Sequence, residues 1–389
     1  MEPKIIIGVA GCGAMGSGIA QVAASAGHQV IVLDTNGSAL DKSRSNIAKD
    51  YEKLVTKGKL TREKAQVLLG LISFTENVAD FAECGLVIEA IVEILDVKKE
   101  LFRQIENVVN VNCIIATNTS SLPVVAVASS CIERSRVIGI HFFNPATILP
   151  LVEIIPSFTS GETVVVKARE IINSWGKTTV LAKDTPGFIV NRIARPYYGE
   201  AIKMYEEGIA DIATIDWAMK TFGGFKMGPF ELMDFIGNDI NFKVTETVWE
   251  QMFYDPRYRP SLTQKRLYEA GFFGRKSGRG YYNYSEGVPA PGAVENHPKG
   301  NYIFERILAM LINEAVDALY LKIASRNDIE LAMTKGVNYP KGLLQWADDI
   351  GIHKVLEILE KLMNDYNDDR YRPSLLLKKM VAEKRSFFS

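Results

Sequence analysis

His141 and Glu153 stand twelve residues apart, each in a short apolar run: Val137-Ile-Gly-Ile-His141 and Leu151-Val-Glu-Ile-Ile155. Both runs read as strands. A carboxylate inside an apolar strand is costly to bury alone, so it calls for a cationic or imidazole partner. The histidine closing the preceding strand is the natural one. A carboxylate beside an imidazole fixes its tautomer and stabilises imidazolium, which makes a general base near neutral pH. The plainer alternative leaves Glu153 facing solvent on an edge strand. Of the other histidines, His28 falls in a turn, His297 in a linker and His353 in a helical stretch, where each reads as structural or solvated. Thr117-Asn-Thr-Ser120-Ser121-Leu122 ends a further strand. Ser121 reads there as a helix cap, whereas Ser120 is placed to bond a substrate oxygen.

A second constellation lies near the N-terminus. Gly11-Cys-Gly13-Ala14-Met15-Gly16 follows the strand Ile5 to Val9 and opens the helical run Ile19 to Ala26. In that context the three glycines permit a tight turn, a close backbone approach to a pyrophosphate and close packing of helix on strand. The helix N-terminus then offers unpaired N–H groups to phosphate. Asp34 closes the second strand eighteen residues after Gly16, near the spacing at which an acid meets the adenosine ribose hydroxyls. A carboxylate there repels a 2′-phosphate and no arginine follows it, so NAD is favoured over NADP. The alternative is a glycine turn with Asp34 as a helix cap.

These residues must be positioned by a sheet. Apolar runs at Ile5 to Val9, Gln29 to Leu33, Leu86 to Ala90, Cys113 to Ala116, Val137 to His141 and Leu151 to Ile155 alternate with helical segments, the signature of a mainly parallel sheet covered on both faces. Asp41 to Leu69 interrupts this rhythm as one long helical excursion, rich in lysine and arginine between Lys42 and Lys64. Strand signals stop near Lys183-Asp-Thr-Pro-Gly-Phe, and the rest reads as helical. The fold class is therefore an α/β Rossmann-type N-terminal domain followed by two repeated all-α domains.

The repeat is visible directly. Glu200-Ala201 returns as Glu314-Ala315 and Ala218-Met219 as Ala332-Met333, at an offset of 114, and Arg257-Tyr-Arg-Pro-Ser-Leu262 returns as Arg370-Tyr-Arg-Pro-Ser-Leu375 at 113. The expected organisation is a nucleotide-binding domain over 1–185, a helical domain over 186–285, a Pro- and Gly-rich linker over 286–300 and a second, degenerate helical copy over 301–389. Asn191 in the first copy becomes Glu305 in the second, so only the first copy is expected to serve a site.

With 389 residues, 47% hydrophobic and 23% charged, the chain has ample core for several domains, and a formal net charge of −1 removes a global electrostatic case for nucleic acid or anionic membrane. Cys12, Cys84, Cys113 and Cys131 lie far apart with no C-x-x-C pair, which suggests four reduced, buried thiols rather than a zinc site or disulfide framework. No metal is called for. No leader pattern and no membrane-length apolar stretch is seen, and a cytoplasmic location is the expectation.

Taken in order, Gly11-x-Gly-x-Met-Gly-x-Gly-Ile-Ala, Val87-Ile-Glu-Ala-Ile-Val-Glu93, Asn118-Thr-Ser-Ser-Leu, His141-Phe-Phe-Asn-Pro, Lys183-Asp-Thr-Pro-Gly-Phe-Ile-Val-Asn191-Arg and Met227-Gly-Pro-Phe-Glu-Leu resemble the 3-hydroxyacyl-CoA dehydrogenase family, most of all its bacterial 3-hydroxybutyryl-CoA members. The resemblance runs from about Ile5 to Tyr284, with the family's helical domain repeated beyond. It implies hydride transfer between C3 of a (3S)-hydroxyacyl thioester and NAD. His141 matches the family's catalytic base and Glu153 its carboxylate partner, while Ser120 and Asn191 match residues that hydrogen-bond substrate oxygens. Glu93, Lys98, Asn144 and Lys276 fall on positions similar to the family's cofactor contacts, beside Gly11, Gly13, Ala14, Met15, Gly16 and Asp34. Lys57 aligns with a lysine that meets coenzyme A, and Asp50 stands where the family carries an accompanying serine. Any single lysine there also reads as part of a solvated helix face.

The partner implied is an acyl-CoA thioester, with neither nucleic acid nor membrane. The chain is expected to be a monomer or homodimer, its second helical copy supplying in cis a surface that single-copy relatives obtain by dimerising. The alternatives are a dehydrogenase of a free sugar acid, as in the gulonate dehydrogenase and lambda-crystallin branch, for which the basic stretch would be superfluous, and a non-catalytic nucleotide-binding relative.

Overall fold

A computed structural model describes residues 4–388, in two compact units, one ending at Thr185 and the other beginning at Pro186. In the first unit eight strands form one sheet: β1 (Ile6–Ala10), β2 (Val30–Leu33), β3 (Ile72–Thr75), β4 (Cys84–Glu89), β5 (Ile114–Thr117), β6 (Val137–Phe142), β7 (Leu151–Pro156) and β8 (Thr178–Leu181). Their order is β3-β2-β1-β4-β5-β6-β7-β8. The six strands from β1 to β6 are parallel, β7 runs antiparallel to β6, and β8 is parallel to β7. The strand order reverses between β1 and β4, and the crevice beyond the carboxyl ends of strands at such a point is where α/β sheets bind ligands.

The Val- and Ile-rich strands are buried because helices cover both faces. The helices of this unit are α1 (Ala14–Ser25), α2 (Gly37–Thr56), α3 (Arg62–Gly70), α4 (Leu95–Val108), α5 (Val124–Ala128) and α6 (Glu162–Ser174). One core joins Ile19 and Ala23 of α1, Ile47 of α2 and Ile172 of α6 to Val9, Ile88 and Ile154 of the sheet. The other sets Phe102 and Ile105 of α4 against Val87, Ile115 and Val137. The excursion expected over Asp41 to Leu69 is two helices, because Gly58 takes a left-handed conformation (φ +67°) and Thr61 accepts from Lys64 N to cap a new helix. Strand β8, too short and mixed to signal itself, extends the sheet past the last strand read from the sequence. All four cysteines are free and buried.

The second unit is helical: α7 (Val190–Ile193), α8 (Arg195–Glu206), α9 (Ile212–Gly223), α10 (Pro229–Ile236), α11 (Asn238–Gln251) and α12 (Leu262–Glu269), then α13 (His297–Tyr320), α14 (Arg326–Leu331), α15 (Leu343–Ile350), α16 (Ile352–Tyr366) and α17 (Leu375–Ala382). Asn296 caps α13 from Lys299 N, so this helix starts inside the Pro- and Gly-rich stretch. The duplication extends to single hydrogen bonds. Asp216 accepts from Phe230 N and Glu231 N, and Glu330, 114 residues on, accepts from Leu344 N and Gln345 N. Asp234 holds Tyr281 N and Tyr282 N, and its counterpart Asp348 holds Phe387 N and Phe388 N.

The copies meet through exchanged ion pairs. Arg192 and Arg257 of the first reach Glu314 of the second, at 2.6 and 3.2 Å, while Arg306 and Arg370 of the second reach Glu200 of the first, at 3.0 and 3.2 Å. Tyr258 and Tyr371 donate to the same two carboxylates. Each residue has its counterpart in the other copy, so the contact has the self-complementary pattern of a two-fold interface within one chain.

Candidate active site

The loop between β1 and α1 shows why three glycines are needed. Gly11 sits at φ +102°, and a Cβ there would meet Ala90 O at 2.5 Å. At Gly16 a Cβ would fall 1.8 Å from Gly11 O. At Gly13 it would meet nothing within 4 Å, since that position faces open space. Gly11 and Gly16 therefore serve the protein's own packing, and Gly13 keeps clear an approach to the N-terminus of α1. A cleft of about 1440 Å³ opens there, lined by Gly11, Gly13, Ala14, Asp34, Asn144 and other residues of the first unit. Met15 turns the other way and packs against the core.

Asp34 ends β2 at the cleft. Its Oδ2 accepts from Cys12 N at 3.0 Å and its Oδ1 from Asn36 N at 3.1 Å, which fixes the carboxylate beside the glycine loop with lone pairs left for hydroxyl donors. The cleft continues along one face of α2, past Lys42, Asn46, Lys49 and Lys53. Asp50 is on that face too, paired with Lys53 at 2.9 Å. Lys57 is the exposed residue that closes α2, beyond the cleft lining.

Further along the sheet, His141 of β6 and Glu153 of β7 are register partners across the antiparallel pair. His141 Nδ1 and Glu153 Oε2 are 2.7 Å apart, with the residues 5% and 0% exposed. Side chains of directly opposed strand residues share a face, so the twelve-residue spacing becomes contact once β7 folds back on β6. Asn118 Oδ1 accepts from Phe142 N at 2.8 Å, fastening the loop after β5 to the residue following His141.

That loop carries Ser120, and Glu93 organises it. Glu93 Oε1 accepts from Thr119 Oγ1 at 2.5 Å, Ser120 N at 3.1 Å and Ser121 Oγ at 2.9 Å. Burial pushes the Glu93 carboxyl up, but Lys98 and the hydroxyl donors outweigh it and hold the group below the usual carboxylate range. Lys98, only 1% exposed, bridges Glu89 at 2.5 Å and Glu93 at 3.1 Å. The second carboxylate, Glu89, also accepts from Ile91 N and Thr117 Oγ1, which ties the ends of β4 and β5 together. Glu89 was missed in the sequence although it carries the signal that singled out Glu153, a charge at the end of an apolar strand. Lys98 and Glu93 thus hold each other, Glu93 holds the serine loop, and neither is among the residues lining the cleft beside Gly13.

Asn191 and Lys276 belong to the helical unit. Asn191 is half-buried on the four-residue α7, its backbone carbonyl accepting from Arg195 Nε at 2.8 Å. Lys276 is paired with Asp239 at 2.6 Å.

A Rossmann sheet with a glycine loop open at Gly13, an acid at the end of β2 and a buried imidazole–carboxylate pair defines a nicotinamide-dependent dehydrogenase. Residues 6–185 match the 3-hydroxyacyl-CoA dehydrogenase NAD binding domain, and residues 187–284 and 302–386 both match that family's C-terminal domain. The chain belongs to the 3-hydroxyacyl-CoA dehydrogenase family, and NAD is its cofactor. It is 36% identical to a 3-hydroxyadipyl-CoA dehydrogenase of Escherichia coli K12, over 96% of this chain and 96% of the relative. A 3-hydroxybutyryl-CoA dehydrogenase of Mycobacterium tuberculosis is 39% identical over 72% of this chain and 98% of its own length. Among solved structures, that of a 3-hydroxybutyryl-CoA dehydrogenase from Escherichia coli K12 superposes with a TM-score of 0.91 at 35% identity, covering 98% of this chain and 99% of that one. No described helix is long and apolar enough to cross a membrane.

Proposed function

We propose that the chain interconverts (3S)-hydroxyacyl-CoA and 3-ketoacyl-CoA on short acyl chains, acetoacetyl-CoA foremost, with His141 as the proton-transferring base. The observation that carries the role of His141 is the buried 2.7 Å contact between His141 Nδ1 and Glu153 Oε2, and the short-chain preference is supported by the relatives named 3-hydroxybutyryl-CoA dehydrogenase. With Nδ1 committed to the carboxylate, proton exchange with substrate falls to Nε2. NAD, held at the glycine loop and Asp34, would supply the hydride acceptor for C3. His141 Nε2 takes the C3 hydroxyl proton as the C–O bond becomes a carbonyl, Glu153 stabilises the imidazolium that forms, and the reverse reaction returns the proton. Ser120, held through Glu93 and Lys98, and Asn191 from the helical unit hydrogen-bond substrate oxygens, where small errors of position are costly in rate. The basic face of α2, with Lys57 at its end, suits the phosphates of coenzyme A.

A six-carbon dicarboxylic substrate is the second reading, favoured by the name of the full-length relative from Escherichia coli. Oxidation of NADH and of NADPH is to be compared with acetoacetyl-CoA, longer 3-ketoacyl-CoA thioesters, 3-oxoadipyl-CoA and the free acids. The short-chain reading expects the highest kcat/KM with acetoacetyl-CoA and NADH, and a preference for 3-oxoadipyl-CoA replaces it with the second. His141→Ala should lower kcat by about 10² to 10⁴. Unchanged turnover in that variant removes the proton-transfer role.

A further inference from the structure

The second helical copy is an internal control for the first, since it keeps the fold without serving the proposed site. Most buried positions are matched in kind between the copies; apart from Asn238, whose place Ile352 takes, the buried Arg, Asn, Thr and Gln side chains that become apolar form one group. In the first copy Arg195, Asn241, Thr245 and Gln264 are all buried, at 7%, 2%, 8% and 2% exposure. Their counterparts at the offsets of 114 and 113 are Ala309, Val355, Leu359 and Leu377, all 1% exposed or less. An apolar core fills this place in the second copy, so the fold does not require polar groups there.

In the first copy the four side chains form one connected network. Gln264 Nε2 donates to Asn241 Oδ1 at 2.6 Å and to Thr245 Oγ1 at 3.3 Å. Thr245 Oγ1 donates to Asn241 O at 2.8 Å and accepts from Arg195 Nη1 at 3.1 Å. Arg195 Nε then donates to Asn191 O at 2.8 Å. No carboxylate of the described residues lies within ion-pair distance of this guanidinium, which rests over the Tyr198 ring at 5.0 Å. Burial pulls its pKa down from the usual guanidinium range. A cation buried without a counter-charge is destabilising compared with a packed alanine and leucines.

The backbone shows what the network holds. Helix α13 runs unbroken through Glu305 to Met310, the counterparts of Asn191 to Pro196. In the first copy Ala194 interrupts the helical hydrogen bonding between α7 and α8 while keeping right-handed helical angles, and Pro196, near the start of α8, has no N–H to donate. Asn191 is thus on the four-residue turn before this interruption, and its backbone carbonyl is held by the Arg195 side chain.

We propose that Arg195, backed by Thr245, Asn241 and Gln264, is a positioning residue that sets the height and angle of Asn191 for the substrate. This rests on the role of Asn191 argued above. Satisfied buried networks fix geometry that apolar packing leaves looser, and such a network is retained where a site requires it.

The test copies the second core into the first: Arg195→Ala with Asn241→Val, Thr245→Leu and Gln264→Leu, alone and combined with Asn191→Ala, in the full-length chain. Expected results are a kcat with acetoacetyl-CoA at least tenfold lower, an unchanged dissociation constant for NADH, and no further loss when the core swap is added to Asn191→Ala. A lighter pair serves if the swap does not fold: Thr245→Val should lower kcat several-fold and Thr245→Ser should retain it. A core swap or Thr245→Val with wild-type kcat, or losses that multiply with that of Asn191→Ala, overturns the proposal. If Asn191→Ala itself leaves kcat intact, the substrate role of Asn191 fails first.

Discussion

Arg192 Nε lies 2.6 Å from Glu314 Oε1, and the same two positions with the copies exchanged, Arg306 and Glu200, lie 3.0 Å apart. A chain ending before the second copy would expose Arg192 and Arg257 without Glu314, and Glu200 without Arg306 and Arg370. Two such chains hold complementary halves of one contact, Arg192 of each facing Glu200 of the other. Truncation at Pro289 should therefore give a particle of twice the truncated mass by light scattering, while the full-length chain does not form a dimer through this face. A monomeric truncated chain would refute this use of the second copy.

Glu314 is fully buried and is reached by Arg192, Arg257 and the Tyr258 hydroxyl. Burial pushes its carboxyl up, but the two guanidinium groups outweigh this and hold it below the usual range. Glu314→Ala leaves Arg192 and Arg257 with Asp317 alone, 3.9 and 3.0 Å away, and the expected loss is about 3 kcal/mol in denaturant unfolding. The exposed Lys361–Asp365 pair is the control, where Asp365→Ala should leave the unfolding midpoint essentially unchanged. Equal losses at the two sites would show that the exchanged pairs do not hold the copies together.

How much of this was legible in the sequence depends on how far apart the interacting residues are. The glycine loop, Asp34 and the strand ends carry local signals of residue type and spacing, and His141 with Glu153 needed only the step that consecutive strands pair. Glu93 and Lys98 were visible as motif positions, but their grip on each other and on the Ser120 loop depends on β4 and β5 being neighbours. The repeat was legible as six identical residues, yet its exchange of arginines and glutamates was not, because identity at an offset does not say which copy a side chain contacts. The core difference at Arg195, Asn241, Thr245 and Gln264 was on view in the aligned copies, and acquired meaning only once all four proved to be buried and joined.

The glycine loop separates binding from stability. A methyl at Gly13 enters open space and meets no protein atom within 4 Å, whereas one at Gly16 would overlap the Gly11 carbonyl. Gly13→Ala should unfold within about 0.5 kcal/mol of the wild type, yet bind NADH at least tenfold more weakly by fluorescence titration. Gly16→Ala should lose about 1–3 kcal/mol of stability or more. Wild-type NADH affinity in Gly13→Ala would show that the pyrophosphate does not pass over that residue.

Asp216 gives the helical unit a pH dependence of opposite sign to that of a salt-bridged carboxylate. Burial pushes its pKa up to about 7, against the lowering effect of the Tyr282 hydroxyl and of Phe230 and Glu231 N–H. Glu330, its counterpart in the second copy, is also raised by burial. A carboxyl whose folded-state pKa lies above its unfolded value is bound to its proton more tightly in the native state. Its contribution is fully present below about pH 4 and is lost as pH rises through about 7, each tenfold difference in proton affinity between the two states being worth roughly 1.4 kcal/mol. The unfolding free energy should therefore carry a falling component between about pH 4 and about pH 7. Asp216→Asn does not titrate, so its stability profile should be flatter over that window, although it loses an acceptor for one of the two N–H groups at every pH. Parallel profiles for the two proteins would mean that Asp216 is ionised throughout, held by its three donors despite its burial.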